Sequence, residues 1–291
     1  MPAELIDGRA VAARVREQVA RDVAELVATH GQPPGLATIL VGDDPASAIY
    51  VANKRKACAE VGIADHHRQL EAGASAADVA DAIEACNADP QVSGILLQLP
   101  LPAGLDGTAL TSTIAPHKDV DGLTPISAGR LALGAPGLRP NTPQGVIELL
   151  DSYEVPLEGA AAVIVGRSQL VGKPVAALML ERNATVTICH SRTRELEAVC
   201  ARADVLVAAV GVPHLLGAEH VGRGAVVIDV GMNRTEEGVT GDVDFEPAAD
   251  RARLITPVPG GVGPMTIAML LRNTVSAARM QAGQGDRERP S

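Results

Sequence analysis

In the stretch "AIYVANKRK", Tyr50 stands four residues before Lys54. On a helix, positions i and i+4 share a face, so a ring and an ammonium line one wall. A flat ligand can stack on Tyr50 while Lys54 reaches its reacting atoms. The same spacing also suits a half-buried tyrosine beside a lysine whose stem lies on apolar surface. The ring is a rare choice in a chain with Trp 0, Tyr 2 and Phe 1. "GILLQLPLP" sets Gln98 in an apolar strand end, where a buried amide needs partners and can be aimed at a ligand or at Lys54. "KDVDGL" offers Asp119 and Asp121 on a turn; either can be a turn carboxylate or can bind a guanidine-like ring edge. A lysine suits proton transfer when its ammonium is destabilised.

A second constellation points to a nucleotide. "AAVIVGRSQLVGKPVAALML" reads as strand, glycine turn and helix, whose amides and N-terminus can receive a pyrophosphate. Gly166 can make the tight turn and Gly172 can allow close approach, although the spelling is not G-x-G-x-x-G and a plain strand–helix turn fits as well. An NAD site places a carboxylate about 20 residues on. Here the next strand ends in "ICHSRT", with Ser191 and Arg192 instead, and Arg167 directly follows the first strand. Arginine and serine attract a 2′-phosphate that a carboxylate would repel, so NADP is expected rather than NAD. Arg192 fits a solvated surface charge equally well. The Tyr-x-x-x-Lys pair of short-chain dehydrogenases lies after the nucleotide turn; Tyr50 and Lys54 precede it by more than a hundred positions, which argues against that reading.

The elements that must position these residues alternate between strand and helix, the mark of a parallel α/β sheet. Asp7 to His30 has helical periodicity with a Gly31 stop, and "LATILVG" is a strand. A helix follows from Pro45 to Gly62, then the helix "SAADVADAIEACN" and the buried strand ending at Gln98. The Gly- and Pro-rich stretch from Ala115 to Gly145 is the expected inter-domain region. "AAVIVG", "ATVTICH", "VLVAAVG" and "AVVIDVG" form a second set of strands, with helices between the first three. "TPVPGGVGPMTIAMLL" joins a strand to the last helix through Pro259, Gly260 and Gly261, where bare backbone can approach a ligand. A polar tail without order is expected after that helix.

At 291 residues, 46% of them hydrophobic, the chain suits one large or two medium domains packed with aliphatic side chains. A net charge of −10 argues against a nucleic-acid binder. Cys58, Cys86, Cys189 and Cys200 show no C-x-x-C pair and no metal-ligand spacing, which suits reduced thiols in the cytoplasm. No signal peptide and no apolar run of membrane-spanning length is visible. No metal and no membrane contact are expected.

Taken together, "SAIYVANKRKACAEVGI", "GILLQLPLP", "PHKDVDGL", "VIVGRSQLVGKP", "CHSRT", "VIDVGMNR", "GDVDF" and "TPVPGGVGPMT" resemble the bifunctional methylenetetrahydrofolate dehydrogenase/methenyltetrahydrofolate cyclohydrolase family of the bacterial FolD type. The resemblance runs from about Ala3 to Arg279. It departs at "PNTP", where Asn141 replaces the family's usual Cys, a change expected to touch only local packing. The resemblance implies two α/β domains flanking a cleft. Residues 1–140 would be the folate-binding, catalytic domain, completed by a C-terminal helix at about 270–291. Residues 141–269 would be a Rossmann-type NADP-binding domain. It implies that Tyr50 stacks on the folate, Lys54 is the catalytic acid/base, Gln98 orients it and Asp121 holds the pterin edge. Gly166, Arg167, Ser168, Ser191 and Met232 would contact NADP, and Pro259, Gly260 and Gly261 the substrate. The implied activities are NADP-dependent oxidation of 5,10-methylenetetrahydrofolate and hydrolysis of the methenyl product to 10-formyltetrahydrofolate. Tetrahydrofolate derivatives are the implied partners, and a homodimer is expected.

Overall fold

The structure is a computed structural model that describes residues 3–236 and 238–283. The expected polar tail lies beyond Gly283, outside the described residues. In chain order the strands are β1 Glu4–Leu5, β2 Gly35–Val41, β3 Ala64–Asp65, β4 Arg68–Leu70, β5 Gly94–Leu97 and β6 Ala161–Val165. They continue with β7 Thr185–Cys189, β8 Val205–Ala208, β9 Val226–Asp229, β10 Asn233–Thr235, β11 Gly238–Thr240 and β12 Leu254–Ile255. The chain divides into two compact units, one of residues up to Ala13 with Thr142–Thr266, the other of Arg14–Asn141 with the residues from Ile267 on.

The Arg14–Asn141 unit is built on a parallel sheet. β2 pairs with β3 at its start and β4 at its end along one edge, and with β5 along the other. Every residue of β2 and β5 is buried, as expected for parallel strands covered on both faces. Ala37, Ile39, Val41, Ile95 and Leu97 pack with Val79, Ile83 and Cys86 of the helix Ala76–Ala88. That helix opens on a reciprocal capping box between Ser75 and Asp78. The helix Pro45–Val61 has Asp44 accepting from the Ser47 amide at its start and left-handed Gly62 at its end. The Gly- and Pro-rich stretch is more ordered than its composition suggests. It holds the helix Pro125–Ala132, capped by Thr124, and the start of the helix Asn141–Ser152.

In the other unit β1, β12, β9, β8, β6 and β7 form one parallel sheet in that order. β7 and β8 flank β6 on opposite sides, so the strand order reverses beside β6. The carboxyl ends of strands at such a switch point are where α/β sheets bind ligands. Val163, Val165, Leu206, Val227 and Ile255 from the sheet pack with Cys189, Cys200, Leu216 and Val243. β10 and β11 form a separate antiparallel pair. All four cysteines are unpaired and buried in these units. The helices Gly8–His30 and Val262–Gln281 each contribute residues to both units. Among the described residues no helix is long and apolar enough to cross a membrane.

Candidate active site

Lys54 and Gln98 meet. The Lys54 Nζ donates to Gln98 Oε1 at 3.0 Å. The strand presents Gln98 because its backbone amide still bonds to Ile39 O at 2.9 Å, one residue past the end of β5. Its Nε2 donates to Leu99 O at 2.6 Å, so the amide can turn only its oxygen toward the lysine. With 8% of its surface exposed, Gln98 is a buried amide with both ends used. Tyr50 lies one helical turn before Lys54 and is 40% exposed.

The carboxylates of "KDVDGL" separate by role. Asp119 is fully buried, and its oxygens accept from the Leu123 and Thr124 amides at 3.1 and 2.8 Å. It is the turn carboxylate. Asp121 feels the charge of Lys54: burial raises its pKa above the ordinary carboxylate value, against the lowering by the lysine's charge and by a hydrogen bond from Asn141, and Asp119 adds to the rise. Burial in turn holds the Lys54 ammonium below the usual lysine range, against the opposing pull of Asp121.

Asn141 reaches further than local packing. Its Nδ2 donates to Asp121 Oδ1 at 2.7 Å, and its Oδ1 accepts from Asn273 Nδ2 at 2.8 Å. Neither asparagine stood out as a partner of Asp121 in the sequence, because the three positions are far apart along it.

In the unit containing β6, Gly166 has φ +131 and its amide bonds to Cys189 O at 2.9 Å. A Cβ there would lie 2.1 Å from Ala209 O, and one on Gly172 would lie 2.2 Å from Gly166 O. Only glycine fits this turn, which leaves bare backbone at the switch point. Ser168 Oγ accepts from the Val171 and Gly172 amides at 3.1 and 3.3 Å, tying the turn to the helix Gly172–Glu181. Arg167 is exposed beside it. After β7, Thr193 Oγ1 accepts from the His190 amide at 2.9 Å and His190 Nδ1 from the Arg192 amide at 3.1 Å. That closed turn holds Ser191 and Arg192 exposed next to the Gly166 turn. His190 and Thr193, the residues that shape it, were not singled out in the sequence.

Pro259, Gly260 and Gly261 lie in the same unit as the Gly166 turn, on the loop before the helix Val262–Gln281. Gly260 has φ +115, and a Cβ on Gly261 would meet the Thr256 side chain at 2.6 Å. Met232 is close by: its Cε would lie 3.1 Å from a Cβ on Gly263. Among the described residues no group of three His, Cys, Asp or Glu could hold a metal ion.

Residues 6–121 match the catalytic domain, and residues 140–282 the NAD(P)-binding domain, of tetrahydrofolate dehydrogenase/cyclohydrolase. The chain belongs to the tetrahydrofolate dehydrogenase/cyclohydrolase family. Both domains of tetrahydrofolate dehydrogenase/cyclohydrolase are therefore present in one chain. The chain is 63% identical to "Bifunctional protein FolD 2" of Frankia alni over 98% of this chain and 99% of that one. The crystal structure of the bifunctional FolD dehydrogenase/cyclohydrolase from Campylobacter jejuni superposes with a TM-score of 0.94 at 44% identity, covering 96% and 99% of the two chains. The tetrahydrofolate dehydrogenase/cyclohydrolase of Trypanosoma brucei, solved with NADP and an inhibitor, superposes with a TM-score of 0.91 at 37% identity, covering 97% and 99%.

Proposed function

We propose that this chain oxidises 5,10-methylenetetrahydrofolate to the 5,10-methenyl compound with NADP, and hydrolyses that product to 10-formyltetrahydrofolate, with Lys54 as the proton-transfer group. The observation that carries this reading is the 3.0 Å bond from Lys54 to Gln98 beside the Asp121 carboxylate, in a setting that disfavours the ammonium. A lysine so placed gives up its proton more readily than a solvated one. Gln98 orients it. Tyr50 offers a ring face to the folate, and Asp121 can accept paired hydrogen bonds from the pterin's amino edge.

The oxidation moves a hydride and asks the chain mainly for positioning. When bound, NADP supplies the hydride acceptor. The close-packed Gly166 and Gly172 fit a pyrophosphate, and Arg167, Ser168, Ser191 and Arg192 could hold a 2′-phosphate. Met232, Pro259, Gly260 and Gly261 complete the proposed contacts with cofactor and substrate.

The hydrolysis needs proton transfers. Water adds to the methenyl carbon and Lys54 Nζ takes one of its protons; the ammonium so formed returns a proton to the leaving ring nitrogen as the C–N bond breaks, and the remaining hydroxyl proton leaves to solvent as the formyl C=O forms. The bound methenyl cation is a like charge beside Lys54 and disfavours the ammonium further. Folate chemistry is thus assigned to the unit of Arg14–Asn141 and NADP to that of Thr142–Thr266.

A homodimer fits the exposed outer edge of β7, which carries the half-exposed Ile188. Four unpaired thiols fit a reducing cytoplasm. The test supplies methylenetetrahydrofolate with NADP⁺ and then with NAD⁺, following NADPH and the methenyl compound at separate wavelengths. Formation and decay of the methenyl compound with NADP⁺ is expected. Methenyl compound that forms and does not decay faster than in buffer would reduce the chain to a dehydrogenase.

A further inference from the structure

We propose that Asn141 and Asn273 are positioning residues for the folate-binding carboxylate: a directed relay, Asn273 to Asn141 to Asp121, that fixes which oxygen of Asp121 is free for the ligand. The inference rests on the reading of Asp121 as the folate carboxylate.

The relay has a fixed sense. Asn273 Nδ2 lies 2.9 Å from Val120 O, 2.8 Å from Arg139 O and 2.8 Å from Asn141 Oδ1. Three oxygens surround one end of its amide, so that end must be the NH₂ group. Asn141 must then turn its oxygen to Asn273 and its nitrogen to Asp121 Oδ1, 2.7 Å away. The reverse orientation would set oxygen against carboxylate and nitrogen against nitrogen. Both asparagines are buried, 4% and 3% exposed, so water cannot replace either partner cheaply.

The arrangement does two things to Asp121. It occupies Oδ1 from the protein side, which leaves Oδ2 and the remaining lone pairs to a ligand and to the field of Lys54. It also gives the ionised form a donor, opposing the burial that favours the protonated form. The relay starts on Asn273, in the helix Val262–Gln281, whose amide also donates to the carbonyls of Val120, next to Asp121, and of Arg139, two residues before Asn141. The last helix thereby clamps the position of Asp121 through backbone as well as side chain.

The test compares Asn141→Ala, Asn273→Ala, the double variant and Asp121→Ala in the full chain. Calorimetry reads tetrahydrofolate and NADP⁺ binding, and steady-state kinetics reads kcat/KM of the dehydrogenase against pH. Asn141→Ala should weaken tetrahydrofolate binding roughly 10- to 100-fold, the span of a hydrogen bond to a charged group. NADP⁺ binding should hold. Without the donor, the Asp121 carboxyl protonates more easily, so the acid limb of the profile should move to higher pH. Asn273→Ala should weaken folate binding a few-fold, and should add less than about twofold once Asn141 is already Ala, because the two act in series. If Asn141→Ala does not fold, Asn273→Ala carries the test through the same limb and the same binding. Unchanged folate binding and an unmoved acid limb would overturn the relay if Asp121→Ala still loses folate. If Asp121→Ala keeps folate binding, the underlying reading of Asp121 is what has failed. Equal weakening of folate and NADP⁺ with no movement of the limb would make the asparagines scaffold only and overturn the proposal.

Discussion

Lys54 and Gln98, 44 positions apart, are joined by one 3.0 Å hydrogen bond that ties a helix residue to the end of a strand. The lysine is buried enough for its ammonium to be disfavoured, and the amide facing it offers an acceptor and no charge. This is a setting for exchanging a proton rather than for holding a permanent ion pair.

Lys54→Met should therefore separate the two activities. The apolar stem is kept, so the helix and Tyr50 should stay in place. Cyclohydrolase activity should fall by about 10²–10⁴-fold, the usual contribution of a general acid–base group. Oxidation should persist in part, and the methenyl compound should accumulate in the spectrum. Hydrolysis at near the parental rate would make Lys54 an ordinary helix-face residue.

Asp121→Ala should weaken folate and spare the nucleotide. The carboxylate sits in the Arg14–Asn141 unit, while the Gly166 turn belongs to the other. Both activities should drop, with NADP⁺ affinity by calorimetry within about twofold of the parent. Collapse of NADP⁺ binding in a folded variant would contradict the assignment.

Arg167→Ala should raise KM for NADP⁺ roughly tenfold or more while changing that for NAD⁺ little, since a guanidinium–phosphate contact is charge-assisted and NAD has no 2′-phosphate. Parental activity that is equal with both cofactors would remove the basis for this expectation.

The buried Lys118, on the same turn as Asp121, supplies a stability test. Its Nζ donates to the carbonyls of Cys86, Asn87 and Asp89 at 3.1, 2.8 and 2.8 Å, closing the end of the helix Ala76–Ala88. Lys118→Met strands those acceptors and should cost about 1–3 kcal/mol in urea unfolding. Cofactor affinity should stay the same.

Asp229 gives a pH dependence. Burial pushes its carboxyl up to about 6 from an ordinary 3.8, although it accepts from the amides of Asp242, Val243 and Gly231. The folded state then binds the extra proton between those values, so this group's stabilisation is complete below about pH 4 and is lost as pH rises through 6. The amount is about 3 kcal/mol. Urea unfolding of the parent and of Asp229→Asn from pH 4 to 7 should show their difference shifting against the parent as pH rises. A difference that stays constant with pH would refute it.

The sequence carried the frame of the molecule more readily than its fastenings. Asp44 with Pro45 and Gly62, and Ser75 with Asp78, announce helix ends through local chemistry; β5, β6 and β8 stand out as unbroken apolar runs, and β2 and β9 as runs broken only by Thr38 and Asp229. β1 and β12 have two residues each and exist through pairing with neighbours, which leaves no periodic trace. The helix Pro125–Ala132 was hidden by surrounding Gly and Pro, although Thr124 before Pro125 is a helix start. Lys54 stood out beside a rare aromatic and Gln98 at an apolar strand end, while Asp121 showed only as one of two carboxylates on a turn. Asn141 stood out only as a departure from the family's usual Cys, and Asn273 not at all, since an asparagine signals nothing about a partner 132 positions away.

The four buried cysteines have a practical consequence. Burial pushes the Cys58 and Cys200 thiols up to about 12 and raises those of Cys86 and Cys189 as well. Alkylating reagents attack the thiolate, so the folded chain is nearly silent toward maleimides at neutral pH. A single cysteine placed at Leu133, which is 84% exposed, would take up a fluorophore with the native thiols left in place. Any later uptake by the native four would then report unfolding.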